Sequence, residues 1–496
     1  MKRLRWFFHL VMFSAMLALF ACGGGGGGGD DAPTGEGDNP PAVTPPEGGD
    51  GDGGDGGGNT PGDSALYSPG QETILKTAII DDNGGVIDIS GTGTWLDGVS
   101  VSFPAGALPE ATTVSIGYDN GTLTPPEGVE FAGPARTLVV HVEGVTNFDQ
   151  MVEITVPYEG NADVVPTPFY VDDTGRLHAV LVKSVDTERK TVSFLTAHAS
   201  PFLTASRVKN DDPPVDTKFR PSADGFQIFN YGGSITNTRG ECYGMSMFAE
   251  WYYVEKKQTN GSFFPKYMNK VGKNVDGKEL SGQDVIATRS HTAIGQSFVL
   301  FDYYEPVLRT TDQYRWDSIV GVLRTNRRPV VIALTQYSPG SLYAEITQSL
   351  GKKHAVLAYG VDEAKGELFI YDPNAPNDDT KKIEYDVQNK KFYIYNNEYT
   401  WFYLSGSGTS NPYYMNERFE NIFQDAERDF TSNNEAFIDI QSHQNGEIVA
   451  TRTINLRGNI DSSEVLIERL DVFVGDDKVG SAVVDTSGDF NVTVSL

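Results

Sequence analysis

The spacing of apolar positions changes several times along the chain. From 70 to 206, short runs rich in Val, Ile and Thr alternate with Gly, Pro and Asp turns, the period-two pattern of strands buried on one face. At 245 the period lengthens: Met245, Phe248, Ala249 and Tyr252 recur at i, i+3, i+4 and i+7. That predicts an amphipathic helix whose apolar stripe, carried back one turn, meets Cys242. The stretch "WDSIVGVLRTN" repeats the helical spacing with Trp316, Ile319, Val320 and Leu323, and "RPVVIAL" after it reads as a buried strand. Residues 354 to 360 are apolar, a polar turn Asp-Glu-Ala-Lys-Gly follows, and a second strand, 367 to 372, ends at Asp372. Residues 415 to 430 read as a closing helix, and beyond 434 the alternation of strands returns.

The N-terminus carries a different signal. MKRLR precedes an apolar run from Trp6 to Phe20 and then Leu19-Phe20-Ala21-Cys22, the charged, apolar and small-residue order of a secretory signal. The run is shorter than the about 20 residues a membrane span needs. The Leu-Phe-Ala-Cys ending resembles the lipobox of bacterial lipoproteins. That resemblance implies cleavage before Cys22, lipidation of its thiol, and attachment to a membrane by acyl chains contributing about 0.8 kcal/mol per buried methylene. Gly23 in place of Asp favours the outer membrane or cell surface. Residues 23–64 are almost all Gly, Asp, Pro, Thr, Asn and Glu, too polar to bury a core, and read as a disordered tether. A Gly-rich coil of about 40 residues spans roughly 35 Å.

Composition narrows the partners. A net charge of -28, from 39 Lys plus Arg against 67 Asp plus Glu, repels phosphate backbones, so no nucleic acid is expected. The remainder of the 496-residue chain is too long for one core and implies roughly two to four domains.

With Cys22 lipidated, Cys242 is a lone thiol in an exported chain. It is either a small buried hydrophobe or a reactive group. Its place in the first turn of a helix, after Gly240, is where backbone N–H groups and the helix dipole favour a thiolate. A nucleophile also needs a base and a group to orient that base. Folding 354 to 372 as a hairpin about residues 363 to 365 brings Asp372 within about two positions of His354 on the facing strand. The three types together, Cys242, His354 and Asp372, are those of a catalytic triad. No phosphate-loop Gly-Lys-Ser/Thr pattern, His-Glu-x-x-His helix, Gly-x-Ser-x-Gly elbow or Cys-x-x-Cys pair is present.

The order of these elements, from Gly-Glu-Cys-Tyr-Gly-Met through "RPVVIAL" and His354 to "IYDPN", resembles papain-like cysteine peptidases, the bacteriocin-processing branch above all. The resemblance covers 215–430. It implies an α+β papain-like fold, Cys242 as nucleophile, His354 as general base and acid, and Asp372 as orienting group, with a peptide or protein substrate and no cofactor or metal. Where that family places a Gln about six residues before the cysteine, this chain has Thr236, with Asn237 beside it. Asn237 is the candidate amide donor to an oxyanion, together with the Cys242 N–H. His291, in "ATRSHTAIG", has no carboxylate at strand spacing and reads as a surface or helix-packing residue.

In the flanks, "GVSVSFPAGALPEATTVSI" resembles the sandwich module of netrin receptors and ankyrins, and 434–496 resembles a small bacterial immunoglobulin-like domain. His141, His178 and His198 lack metal-ligand spacing. The expected fold class is therefore multidomain, an α+β papain-like central domain flanked by two all-β sandwich domains: signal peptide 1–22, tether 23–64, sandwich 70–206, peptidase 215–430, immunoglobulin-like sandwich 434–496. The expected function is a lipid-anchored surface cysteine hydrolase, with a catalytically inactive, adhesin-like binding protein as the alternative.

Overall fold

A computed structural model describes residues 66–495, apart from 161–163, 200, 210–212, 231–239, 274–278, 305–308, 337–352, 405–411, 433–436, 441–452, 462–468, 475–476 and 484–488. The expected fold class needs correction. Strands make up 45% and helices 20% of the structure, which is mostly β-sheet and does not fit an α+β papain-like central domain. The physical reason lies partly in 382 to 404, where Ile, Tyr, Phe and Trp are interleaved with Lys, Glu and Asn. This stretch adds the strands Lys382–Asp386, Lys391–Phe392 and Trp401–Leu404 to those seen from the apolar runs.

The first described region holds a six-stranded and a five-stranded antiparallel sheet. Val114, Ile116, Leu138 and Val140 of the first sheet share one buried cluster with Val101, Val152, Ile154, Val192 and Phe194 of the second. The every-other-residue spacing of these side chains is what the pleat requires of a face turned inward.

The middle region is built on a seven-stranded sheet, all of its pairings antiparallel. Its centre is the pair Val330–Thr335 and Lys353–Asp362. Their middles, 330 to 334 and 355 to 358, are continuous apolar runs because both faces are covered. Val331, Ala355 and Leu357 face a core that includes helices α1 (Cys242–Glu255), α2 (Gly282–Tyr304) and, from later in the chain, Pro412–Asp429. Val330, Ile332, Val356 and Ala358 face the opposite core, with Trp316, Ile319 and Leu323 of α3 (Asp312–Asn326). The Thr311 hydroxyl caps α3 by accepting the Tyr314 N–H at 3.1 Å.

That second core also takes in Phe169, Val171, Leu177 and Leu203 from the six-stranded sheet, so the two regions share one apolar interior. The Tyr314 hydroxyl reinforces the seam by donating to the Pro166 carbonyl at 2.8 Å. In the last region Phe437–Ile440, Thr453–Asp461 and Asp489–Ser495 form a three-stranded antiparallel sheet, and Arg469–Val474 pairs with Asp477–Val483 over Ala482, Phe490, Val492 and Val494.

Among the described residues no helix is long and apolar enough to cross a membrane.

A candidate cysteine, histidine and aspartate site

Cys242 is the first residue of α1 and is wholly buried. The helix is apolar on nearly every face, wider than the stripe its spacing predicts, since Tyr243, Met247, Trp251 and Tyr253 are buried as well. Gly240 sets up its start with a left-handed φ of 104°, and a Cβ there would lie 2.8 Å from the Asn230 side-chain oxygen. Only glycine meets both demands. One turn along α1, Ser246 donates to the Ala355 carbonyl at 3.2 Å. That bond holds the Cys242 end of the helix against the strand residue that follows His354.

His354 is 3% exposed, and its Nε2 lies 2.7 Å from Asp372 Oδ1. The hairpin register places this contact. Leu357 pairs with Tyr371, so position 372 continues opposite Val356, two residues from His354 and on the same face. With Nε2 donating to the carboxylate, Nδ1 is the ring nitrogen that carries the lone pair of the neutral imidazole. The imidazole also stacks on Tyr399, with ring centres 5.7 Å apart.

Asp372 is 1% exposed. Its Oδ1 accepts the Asn374 backbone N–H at 2.8 Å and its Oδ2 accepts the Tyr395 hydroxyl at 2.5 Å. Burial alone would raise the carboxyl's proton affinity, but His354, the Tyr395 hydroxyl and the Asn374 N–H outweigh it and hold the group below the usual carboxylate range. Asp372 is thereby kept ionised.

Two asparagines join this pair to the cysteine-bearing turn. Asn230 accepts the Glu241 N–H through Oδ1 and donates from Nδ2 to Asn374 Oδ1 at 2.8 Å. The Asn374 amide nitrogen in turn lies 3.3 Å from His354 Nε2. The Asn230 backbone N–H donates to the Pro373 carbonyl at 3.1 Å. Cys242 and Tyr371 share one buried cluster, and burial, followed by the charges of Asp372 and Cys242, pushes the Tyr371 hydroxyl upward. The peptide before the thiol and the imidazole–carboxylate pair therefore belong to one polar network. An ionised Asp372 fixing the His354 tautomer, and a thiol at a helix N-terminus joined to that pair through Asn230 and Asn374, are the parts that nucleophilic acyl transfer uses.

Asn230, Asn374 and Tyr395 escaped the sequence reading. Asn374 stands in the quoted "IYDPN", where an asparagine after Asp-Pro is a turn signal with a side chain to spare. Asn230 and Tyr395 carry no local signal. His291 packs against α1: a Cβ on Gly244 would lie 2.4 Å from the His291 backbone nitrogen, and burial lowers its ring to about 4. Asn237 and Cys22 lie outside the described residues. Among the described residues, no three His, Cys, Asp or Glu side chains gather as a metal site. His141 pairs with Glu72 at the surface, His178 with Asp172 at 2.8 Å, and His198 is buried against Tyr170.

No family model matches the chain, and no curated protein matches it in sequence.

Proposed function

We propose that this protein is a thiol-dependent acyl hydrolase, in the first instance a peptidase, held at an outer membrane or cell surface by a lipid on Cys22. Cys242 attacks the carbonyl carbon of the substrate, and His354 takes the thiol proton and delivers it to the leaving amine. The resulting thioester is hydrolysed by water that His354 deprotonates, which releases the acid and restores the thiol. Asp372 steadies the imidazolium between these steps.

The observation that carries this reading is the buried His354–Asp372 pair at 2.7 Å, linked through Asn374 and Asn230 to the peptide preceding Cys242. The experiment is alkylation of Cys242 by iodoacetamide at neutral pH. Fast labelling, abolished in His354→Ala, is the expected result.

One observation favours a second reading. Cys242 is 0% exposed, as befits a small apolar core residue, and the protein would then be an adhesin-like binder that retains the polar network for stability. Slow labelling, equal in wild type and His354→Ala, would establish that reading instead.

A further inference from the structure

The two sheets of the first region meet the start of α3 at a place whose lining does not include the thiol. A cleft of about 490 Å³ opens there. Its lining includes Lys190, Lys209 and Arg309 and a single carboxylate, Asp317, in a chain whose net charge is -28. Lys209 pairs with that carboxylate, whose proton affinity burial raises in spite of the lysine. Thr311 and Gln313 add a hydroxyl and an amide, and Val164 and Pro166 give the cleft an apolar wall.

The walls are held in place by the backbone. The Arg309 N–H donates to the Lys183 carbonyl at 2.7 Å, and Arg309 forms a bridge with Ser184. The Tyr314–Pro166 bond closes the other side. Lys190 and Arg309 share the concavity with the Lys209–Asp317 pair, which leaves it net positive, and a concavity of one sign focuses potential most where the rest of the surface is of the other. Guanidinium and ammonium groups recognise phosphate and carboxylate oxygens, and hydroxyl and amide donors beside an apolar wall suit a ring carrying hydroxyls.

We propose that this cleft binds a small polyanion that also bears hydroxyl groups, of the chemical class of sugar phosphates. The site is independent of Cys242 and stands whether or not the thiol is catalytic.

The test is calorimetric titration of the full-length chain at low ionic strength with glucose 6-phosphate, pyrophosphate and glucose. Glucose 6-phosphate is expected to bind, to weaken in high salt, and to lose at least tenfold in affinity in each of Lys190→Asn and Arg309→Gln. Both positions are exposed, and asparagine tolerates the left-handed φ of 53° at Lys190. His141→Ala, remote and exposed, is expected to bind as wild type does. Absence of glucose 6-phosphate binding, or binding untouched by both cleft variants, overturns the site. Equal affinity for glucose would overturn the role of charge, and tighter binding of pyrophosphate than of glucose 6-phosphate would overturn the sugar component.

Discussion

Asn230 donates from Nδ2 to Asn374 Oδ1 at 2.8 Å, and this bond joins the turn before Cys242 to the turn after Asp372. Asn230 is 8% exposed, so truncation takes the acceptor from the buried Glu241 N–H, while the half-buried Asn374 Oδ1 can turn to water. A buried donor left in this way costs roughly 1–3 kcal/mol. Asn230→Ala should therefore lower stability in a urea titration by about that amount and slow Cys242 alkylation. Unchanged alkylation would separate the network from the chemistry.

Asp372→Asn preserves shape while removing the charge that holds the His354 tautomer. If the triad acts as proposed, turnover of a cleavable peptide falls on the order of 10⁴-fold. The folded Asp372 binds protons less readily than the unfolded chain does, so its stabilisation is present above about pH 4 and is lost as pH falls below that value. Melting curves from about pH 7 to pH 3 should show this loss in wild type and a smaller one in the variant.

His198 is buried among sheet residues, its ring centre 4.7 Å from that of Tyr170, and neither ring nitrogen makes a hydrogen bond among the described residues. Burial lowers its pKa to about 3, from an ordinary 6.5. The unfolded chain then takes up this proton at higher pH than the folded chain, so stability is full above about pH 6.5 and declines as pH falls toward 3. His198→Phe should reduce the slope of melting temperature against pH across that window. An identical slope would assign the acid sensitivity elsewhere.

Cys22→Ser removes the proposed acyl acceptor. Fractionation of cells producing the variant should move the protein from the membrane pellet to the soluble exported fraction, with Cys242 labelling as in wild type. Retention in the pellet would rule out the lipid as the anchor.

How far the sequence disclosed this molecule depended on the range of the interactions involved. The helix beginning at Cys242 and the turn between the His354 and Glu367 strands are set by local spacing, and both were legible. The resulting register brings His354 and Asp372 together, because pairing of strands adjacent in the chain leaves little freedom. Asn230 and Asn374 are separated by 144 positions and meet only through tertiary packing, which no local pattern records. The fold class was misjudged for a related reason. The succession of Cys242, His354 and Asp372 points to an α+β arrangement, whereas Trp401–Leu404 joins the sheet by pairing with Val330–Thr335, a partner far back in the chain that no local pattern names. Nor does the stripe on α1 disclose how far that helix is enclosed, since Trp251 is covered by Phe419 and Phe423 of the closing helix and Tyr253 packs on Phe219, both distant in sequence.

The interior that runs from Phe169 and Leu203 into Trp316 and Ile332 has a consequence for how the chain comes apart. Neither neighbour can be excised without stripping the other of its lining. Heating should melt them in a single calorimetric peak, and an excised fragment from 215 onward would expose a greasy flank and precipitate.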